Sequence, residues 1–424
     1  MKELTKEISK YEKKFNLVRN LELKKLVNYS NYKNLPFQNW CNYQEGFSTQ
    51  ILDWFIKYLK IDIKDSVFLD PFCGSGSSLV TGKSYGLKSI GIDINPFSCL
   101  LSETKVNSYS VKDLDIIRNF SLPKYKDEKD FYKKYEFSMI KKLFSKENFN
   151  KIELLKLAIN NIENTKSKNF LHTTLVCCLE LCSNYKKAGN GLKKRKKINE
   201  LDIFNEFNKK KLQMLSDIGL LKEKASIRVY NKNINSFNKI IEDDTIDLSF
   251  FSPPYPNCFD YFEVYKIELW LGGFIESYDE LKKYRKSAIT SNLNANLNQE
   301  IDIKELKELS NLLSLTLSIL QKQELWNKNI PKMLSLYFYE MNYFLKSLFK
   351  KIKKNGHVGI VIGNSSYGGV PILSDLILTD LAKKSGFNVK EIIVTRNNET
   401  SSQQYDKISN LVSYIRESVI VLNK

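Results

Sequence analysis

Short apolar runs, each closed by a polar residue or a turn, alternate along this chain with longer segments of helical spacing. Val67-Phe68-Leu69 leads into Asp70, Ser89-Ile90-Gly91-Ile92 into Asp93, and Ile246-Asp247-Leu248-Ser249-Phe250-Phe251 into Ser252. Such runs suit strands buried on both faces of a parallel sheet. Further strands are expected at 227–230, 357–362, 389–395 and 417–422. Helical spacing is clearest over 47–60, where Ile51, Leu52, Phe55 and Leu59 share one face and Ser48 takes the N-cap position. Two more helices are expected at 333–352 and 372–385.

Strand, glycine turn, helix and strand over 67–93 make a βαβ unit. The later strands extend it into a doubly wound α/β sheet with helices on both faces. The pattern gives an N-terminal arm (1–45), a core in three pieces (46–105, 225–271 and 331–424) and two polar, helical insertions (106–224 and 272–330). No strand is expected in the first insertion. Segments at the carboxyl edge of such a sheet carry recognition, which makes both insertions candidates for it.

Composition adds a partner class. The 424 residues are 42% apolar, enough for a large core, and carry a formal net charge of +18. A polyanion is the expected partner, nucleic acid ahead of a membrane surface, although a lysine- and asparagine-rich genome produces the same bias. Met1-Lys2-Glu3-Leu4-Thr5-Lys6-Glu7 lacks the apolar core of a secretion signal. No apolar run approaches the roughly 20 residues that span a bilayer. The seven cysteines are therefore expected as reduced thiols in a cytoplasmic, bacterial-type setting.

Chemistry concentrates in two strings that follow strands. In Asp70-Pro71-Phe72-Cys73-Gly74-Ser75-Gly76, the glycines allow positive φ and close approach of backbone to a ligand. The helix that follows offers unpaired N–H groups to an anion. Asp93 lies 23 residues beyond Asp70, at a strand end where an acid can grip ribose hydroxyls. A dinucleotide fingerprint fails, because Gly74-Ser75-Gly76-Ser77-Ser78-Leu79 lacks the third glycine. A P-loop fails as well, with five residues rather than four between Gly76 and Gly82-Lys83-Ser84. The second string is Ser252-Pro253-Pro254-Tyr255, whose bland alternative is a rigid surface turn.

Taken together with Gly91-Ile92-Asp93-Ile94-Asn95-Pro96, the first string resembles the cofactor signature of amino-directed DNA methyltransferases. The resemblance implies a Rossmann-like S-adenosylmethionine-dependent methyltransferase sheet and S-adenosyl-L-methionine as cofactor. It implies that Asp70, Pro71, Phe72, Gly74 and Gly76 line the methionine end, Asp93 holds the ribose, and Ile94, beside Asn95, packs on the adenine. Phe47 and Ser48 resemble the segment that completes this pocket.

Within the same family, Ser252-Pro253-Pro254-Tyr255 is similar to the cytosine-N4 form, whereas an Asp or Asn at its head is commoner among adenine-N6 enzymes. Ser252 and the Pro253 carbonyl would accept the exocyclic N–H. The prolines would keep the turn rigid, and Tyr255 would stack on a base rotated out of double-stranded DNA. Catalysis is then mainly positioning for in-line displacement. Cytosine-C5 chemistry needs a nucleophilic cysteine in a Pro-Cys pair; none occurs, and Cys258 reads as a loop residue. Gly363-Asn364-Ser365-Ser366-Tyr367-Gly368-Gly369 resembles a segment flanking the substrate cleft of some cytosine-N4 enzymes, or is simply a flexible glycine loop. A cognate restriction endonuclease is a possible partner. The alternatives are an adenine-N6 enzyme, an RNA base methyltransferase and a non-catalytic nucleic-acid-binding subunit.

The densest basic run is Lys186, Lys187, Lys193, Lys194, Arg195, Lys196 and Lys197, expected as a flexible phosphate clamp. Arg285 and Lys286, in the second insertion, suit base edges. His172, Cys177, Cys178 and Cys182 match no zinc spacing and sit among leucines, so no metal is expected.

Overall fold

The computed structural model describes residues 1–27, 35–44, 46–126, 131, 135–199, 201–221, 225–398 and 408–424. Its strands are β1 (Leu17–Arg19), β2 (Val67–Asp70), β3 (Lys88–Asp93), β4 (Tyr185–Ala188), β5 (Gly191–Lys194) and β6 (Ile227–Asn231). They continue with β7 (Ile246–Phe251), β8 (Ile352–Gly363), β9 (Ser365–Tyr367), β10 (Val370–Ile372), β11 (Asn388–Asn397) and β12 (Arg416–Asn423).

Among the described residues, eight strands form one sheet in the order β1-β11-β12-β8-β7-β2-β3-β6. Every neighbouring pair is parallel except the two made by β12. Chain order reverses between β2 and β7. Their carboxyl ends lie side by side, with Phe68 opposite Leu248 and Leu69 opposite Ser249. A crevice outside that reversal is the usual ligand site of such sheets.

Both faces of the sheet are covered, as the apolar runs predict. The adjacent rings of β7 point opposite ways: Phe250 lies 5.0 Å from Phe55 of the helix Gln50–Leu59, and Phe251 lies 5.6 Å from Phe344 of the helix Ile330–Lys351. The helices Ile330–Lys351 and Ser374–Lys384 fall where helical spacing places them. No described helix is long and apolar enough to cross a membrane.

Three expectations need correction. Of the N-terminal arm (1–45), the described residues 1–27 and 35–44 pack against the core. β1 pairs with β11 as the edge strand, and the helix Lys2–Lys14 is tied to the core by Tyr11 on Asp380 (3.3 Å) and by Glu12 on Arg416 (2.5 Å). A three-residue strand is too short to show alternation. The first insertion also contains strands: β4 and β5 form an antiparallel hairpin closed at Gly189, whose φ of 54° lies in the left-handed region. Its lysines have low strand propensity and hide it.

Nor are all cysteines thiols. Cys41 and Cys177 are disulfide-bonded, joining the segment before the helix Gln50–Leu59 to the helix Thr165–Cys182. They meet because Asp217, on the helix Ile203–Ile218, accepts the Phe37 N–H (2.9 Å) and the Trp40 indole N–H (2.7 Å), holding this segment against the insertion.

Lys187 of β4 reinforces that junction. Its ammonium is buried, donates to Glu268 (2.5 Å) and to the Asn42 carbonyl (3.0 Å), and lies 3.4 Å from Glu180. Removing one partner of a buried pair strands the other without water, at a cost of about 3–5 kcal/mol. Lys187→Met should therefore lower the melting temperature by many degrees, whereas Lys186→Met, one residue away and exposed, should leave it nearly unchanged. Equal melting curves for the two variants would remove this role.

Candidate active site at the sheet switch point

The turn after β2 is built around carboxylates. Asp70 accepts the Phe72 N–H on Oδ1 (3.0 Å) and the Ser78 hydroxyl on Oδ2, which closes the turn onto the helix Ser77–Ser84. Gly74 and Gly76 sit at φ of 48° and 78°, where a side chain is strained. Outside contacts hold the turn's carbonyls: Ser102 donates to Gly74 O (2.7 Å) and Lys105 to Ser75 O (2.8 Å). At the end of β3, Asp93 accepts the Gly74 N–H (2.9 Å) and the Asn95 N–H (2.8 Å), one on each oxygen. Burial lifts both carboxyls, Asp70 to about 7 and Asp93 to about 6.

These elements wall a cleft enclosing about 1060 Å³ with its open mouth included. Of the residues expected at the cofactor, Phe47, Pro71, Phe72, Gly74, Asp93, Ile94 and Asn95 line it. Ser48, Asp70 and Gly76 do not. Ser48 is buried and accepts the Gln50 N–H, and Asp70 turns inward to hold the loop. Asp70 thus shapes the turn, and Ser48 the start of the helix Gln50–Leu59.

Spacing missed several walls: Tyr43, Ile234, Tyr261, Phe262 and Ile289. Tyr43 is hydroxyl-bonded to Ser98 (2.9 Å) and stacked on Tyr265 at 4.9 Å.

A second, polar cavity of about 1520 Å³, mouth included, adjoins the first and shares Tyr43, Gly46, Phe47 and Ser252 with it. Tyr255, Asn257, Arg396 and Glu417 line it on the sheet side. Lys186, Gly189 and Asn190 of the hairpin line the opposite side. Ser252 thus stands between an apolar-walled cleft and a polar one, with Pro254 lining the first and Tyr255 the second. Pro253 is buried and lines neither. The loop beyond is pinned by the β9–β10 hairpin: Ser365 and Tyr367 both donate to the Pro256 carbonyl, at 3.1 and 3.0 Å. The glycine segment 363–369 is therefore a structured support of this site.

The basic residues divide. Lys186, Lys193, Lys194, Lys196, Lys197 and Lys286 are exposed. Lys187 is committed to Glu268 and Glu180. Arg195 donates to the Ser183 and Glu180 carbonyls (2.9 and 3.2 Å), closing the base of the hairpin. Arg285 lines the first cleft and is engaged by Asp260 and Glu263, each at 2.9 Å. These three are held by partners within the fold, and Lys187 and Arg195 also line the second cavity. His172 lies 2.7 Å from the Gly272 carbonyl and stacks on Phe274, and no group of metal-ligating side chains occurs among the described residues. Cys258 sits 3.3 Å from the Tyr367 hydroxyl, and burial pushes its thiol up, away from the nucleophilic form.

Residues 46–325, more than half of the chain, match the model of a family described as D12 class N6 adenine-specific DNA methyltransferase. The chain belongs to this family. It is also 28% identical to the Type II methyltransferase M.BsoBI of Geobacillus stearothermophilus, over 98% of this chain and 91% of that one. The Type II methyltransferase M.AvaI of a Nostoc species is similar at 28% identity, over 90% and 85% of the two chains. A shorter stretch, 20% of this chain, is 39% identical to the Type II methyltransferase M.MjaII of Methanocaldococcus jannaschii.

This methyltransferase is thus a DNA-modifying enzyme of the amino-directed class, with S-adenosylmethionine as cofactor. The family description names adenine N6, whereas the Ser252 string resembles cytosine-N4 enzymes; the match itself reaches only amino-directed methylation. The cleft suits the cofactor. Gly74 lines it at positive φ, and Asn95, whose Oδ1 caps the next helix at Phe97 (3.0 Å), leaves its buried Nδ2 without a hydrogen-bond partner. An amino-acid carboxylate, ribose or adenine can accept from it.

Because folding raises Asp70 from 3.8 to about 7, its neutral form favours the folded state, and that contribution fades as pH climbs through the interval. Asp70→Asn lacks this loss. The variant's melting temperature relative to the parent enzyme should therefore rise between about pH 4 and about pH 7.5. A difference that stays flat would show that Asp70 is not buried as described.

Proposed function

We propose that the enzyme methylates the N4 amino group of a cytosine rotated out of double-stranded DNA, as the modification half of a restriction-modification pair. The observation that carries this reading is Ser252 at the junction of the two cavities, with Tyr255 beside it. In this reading the apolar-walled cleft takes the cofactor and the polar cavity takes the base. Asp93 turns toward the ribose, Ile94 packs on the adenine, and Phe47, Pro71, Phe72 and Gly74 surround the methionine portion. Asp70, Gly76 and Ser48 keep that surface in shape.

Bound S-adenosylmethionine supplies an electrophilic methyl group. The protein's part is to aim the amino nitrogen. Ser252 accepts one amino N–H, Tyr255 stacks on the ring, and Pro253 and Pro254 fix the turn between them. A seryl head on the string supports cytosine over adenine, by its likeness to cytosine-N4 enzymes. The family's description favours adenine N6 as the second reading, with the same machinery and a different ring. The relatives' names, Type II methyltransferases, support the restriction-modification setting. Exposed Lys186, Lys193, Lys194, Lys196 and Lys197 are the phosphate contacts, with Lys286 a further one on the other insertion. The helical insertions (106–224 and 272–330) flank the cavities as DNA-reading elements.

Nucleoside mass spectrometry of DNA treated with the enzyme and labelled S-adenosylmethionine, beside an RNA pool, tests the base. N4-methylcytosine is expected. N6-methyladenine would move the assignment to the second reading, label confined to RNA would overturn DNA as the substrate, and no label in either pool would overturn catalysis by this chain alone. Ser252→Ala and Tyr255→Ala should each slow single-turnover methylation at least about 100-fold, with cofactor affinity within about twofold. Changing Lys193, Lys194, Lys196 and Lys197 to Gln should flatten the slope of log affinity for DNA against log salt by about 3 to 4. An unchanged slope would remove the hairpin from the DNA interface.

A further inference from the structure

We propose that Glu417 is a positioning residue for methyl transfer, setting the direction of the Ser252 hydroxyl through the hydroxyl of Tyr255. The inference rests on Ser252 as the acceptor of the amino N–H. A serine is an ambiguous acceptor there. Its hydroxyl hydrogen rotates freely, and in one orientation it points at the amino group, donor against donor. An acceptor-only side chain has no such fault.

The structure supplies a remedy. Ser252 Oγ donates to Tyr255 Oη at 3.3 Å, and Tyr255 Oη donates to Glu417 Oε1 at 2.9 Å. A carboxylate only accepts, so the phenolic hydrogen is committed to Glu417, and Tyr255 Oη can then accept from Ser252. The serine hydrogen is drawn toward the tyrosine, which leaves its lone pairs for the cavity. Each bond in such a chain polarises the next, so the carboxylate also strengthens Ser252 as an acceptor.

The seat of this chain is built for it. Glu417 is nearly buried on β12, and its Oε2 accepts the Arg396 Nε–H of β11 at 2.5 Å, which fixes the carboxylate plane. In register beside it on β8 is Gly363, where a Cβ would come within 2.9 Å of the Tyr255 ring. The ring lies where only a glycine leaves room. All three supports fall beyond residue 325, outside the span matched by the family model.

The test compares Tyr255→Phe, Glu417→Gln and the double variant, in single-turnover methylation of cognate DNA and in equilibrium binding of cofactor and of DNA. Tyr255→Phe keeps the stacking ring and removes only the link. Glu417→Gln keeps the volume but turns one of its two acceptors into a donor. Each should slow the step about 10-fold or more with both affinities within about twofold, and the double variant should be no slower than Tyr255→Phe alone, because the links act in series. Effects that multiply in the double variant would overturn the relay.

Should Glu417→Gln not fold, Tyr255→Phe decides alone, and methylation at the parental rate overturns the proposal. If Ser252→Ala is crippled while Tyr255→Phe is not, only the relay falls. If both methylate normally, the role of Ser252 falls with it.

Discussion

Everything at the site depends on β2 and β7 being hydrogen-bonded neighbours that run the same way. Leu69 and Ser249 are 180 residues apart in the chain, yet Ser249 donates to the Leu69 carbonyl at 3.0 Å inside the sheet. Parallel pairing puts both carboxyl ends on one edge. The turn after Asp70 and the string from Ser252 to Tyr255 then emerge next to each other, however much chain lies between. An insertion as long as 106–224 is tolerated because closing a longer loop adds only slowly to the entropy already lost. The two turns can therefore emerge side by side with a long segment of chain between them.

Buried carboxylates shape the turn after β2. Asp70 and Asp93 each accept two donors from the chain itself, and together they fold the glycine turn over the end of β3. Their desolvation, visible in the raised values of both groups, is an unfavourable term that the neighbouring N–H groups offset only in part. The return is a turn whose shape is fixed by the chain's own hydrogen bonds. On the other side of Ser252 the same device recurs, with Glu417 between Tyr255 and Arg396.

The parallel strands were legible because burial on both faces writes a continuous apolar run, and the two motif strings because their glycines and prolines are demanded by backbone geometry. What escaped was either short or paired at a distance. β1 has three residues. β4 and β5 are half lysine, which no strand scale favours. Lys187 reads like its exposed neighbours because the carboxylate it donates to, Glu268, lies 81 residues away and Glu180, though near in the chain, sits on a helix whose face the spacing does not reveal. Asp70, expected at the methionine end, turns its oxygens into the loop rather than into the cleft. Glu417 belongs to no motif; its meaning appears only when β12 is laid beside β8 and β11.

Charge on the β4–β5 hairpin is sorted by the pleat. Lys186 faces outward and Lys187 inward, as successive strand residues must. The inward ammonium lies 4.4 Å from the centre of the Tyr265 ring, and Tyr265 is stacked on Tyr43, a wall of both cavities. The same lysine also donates to the Asn42 carbonyl, one residue before Tyr43. A net charge of +18 therefore conflates two jobs. Several of the lysines are exposed, while Lys187 is buried and fixes the hairpin to the walls of the cleft. Because a single hairpin carries both kinds, exposed Lys186, Lys193 and Lys194 sit on paired strands anchored beside Tyr43 instead of on a loose tether.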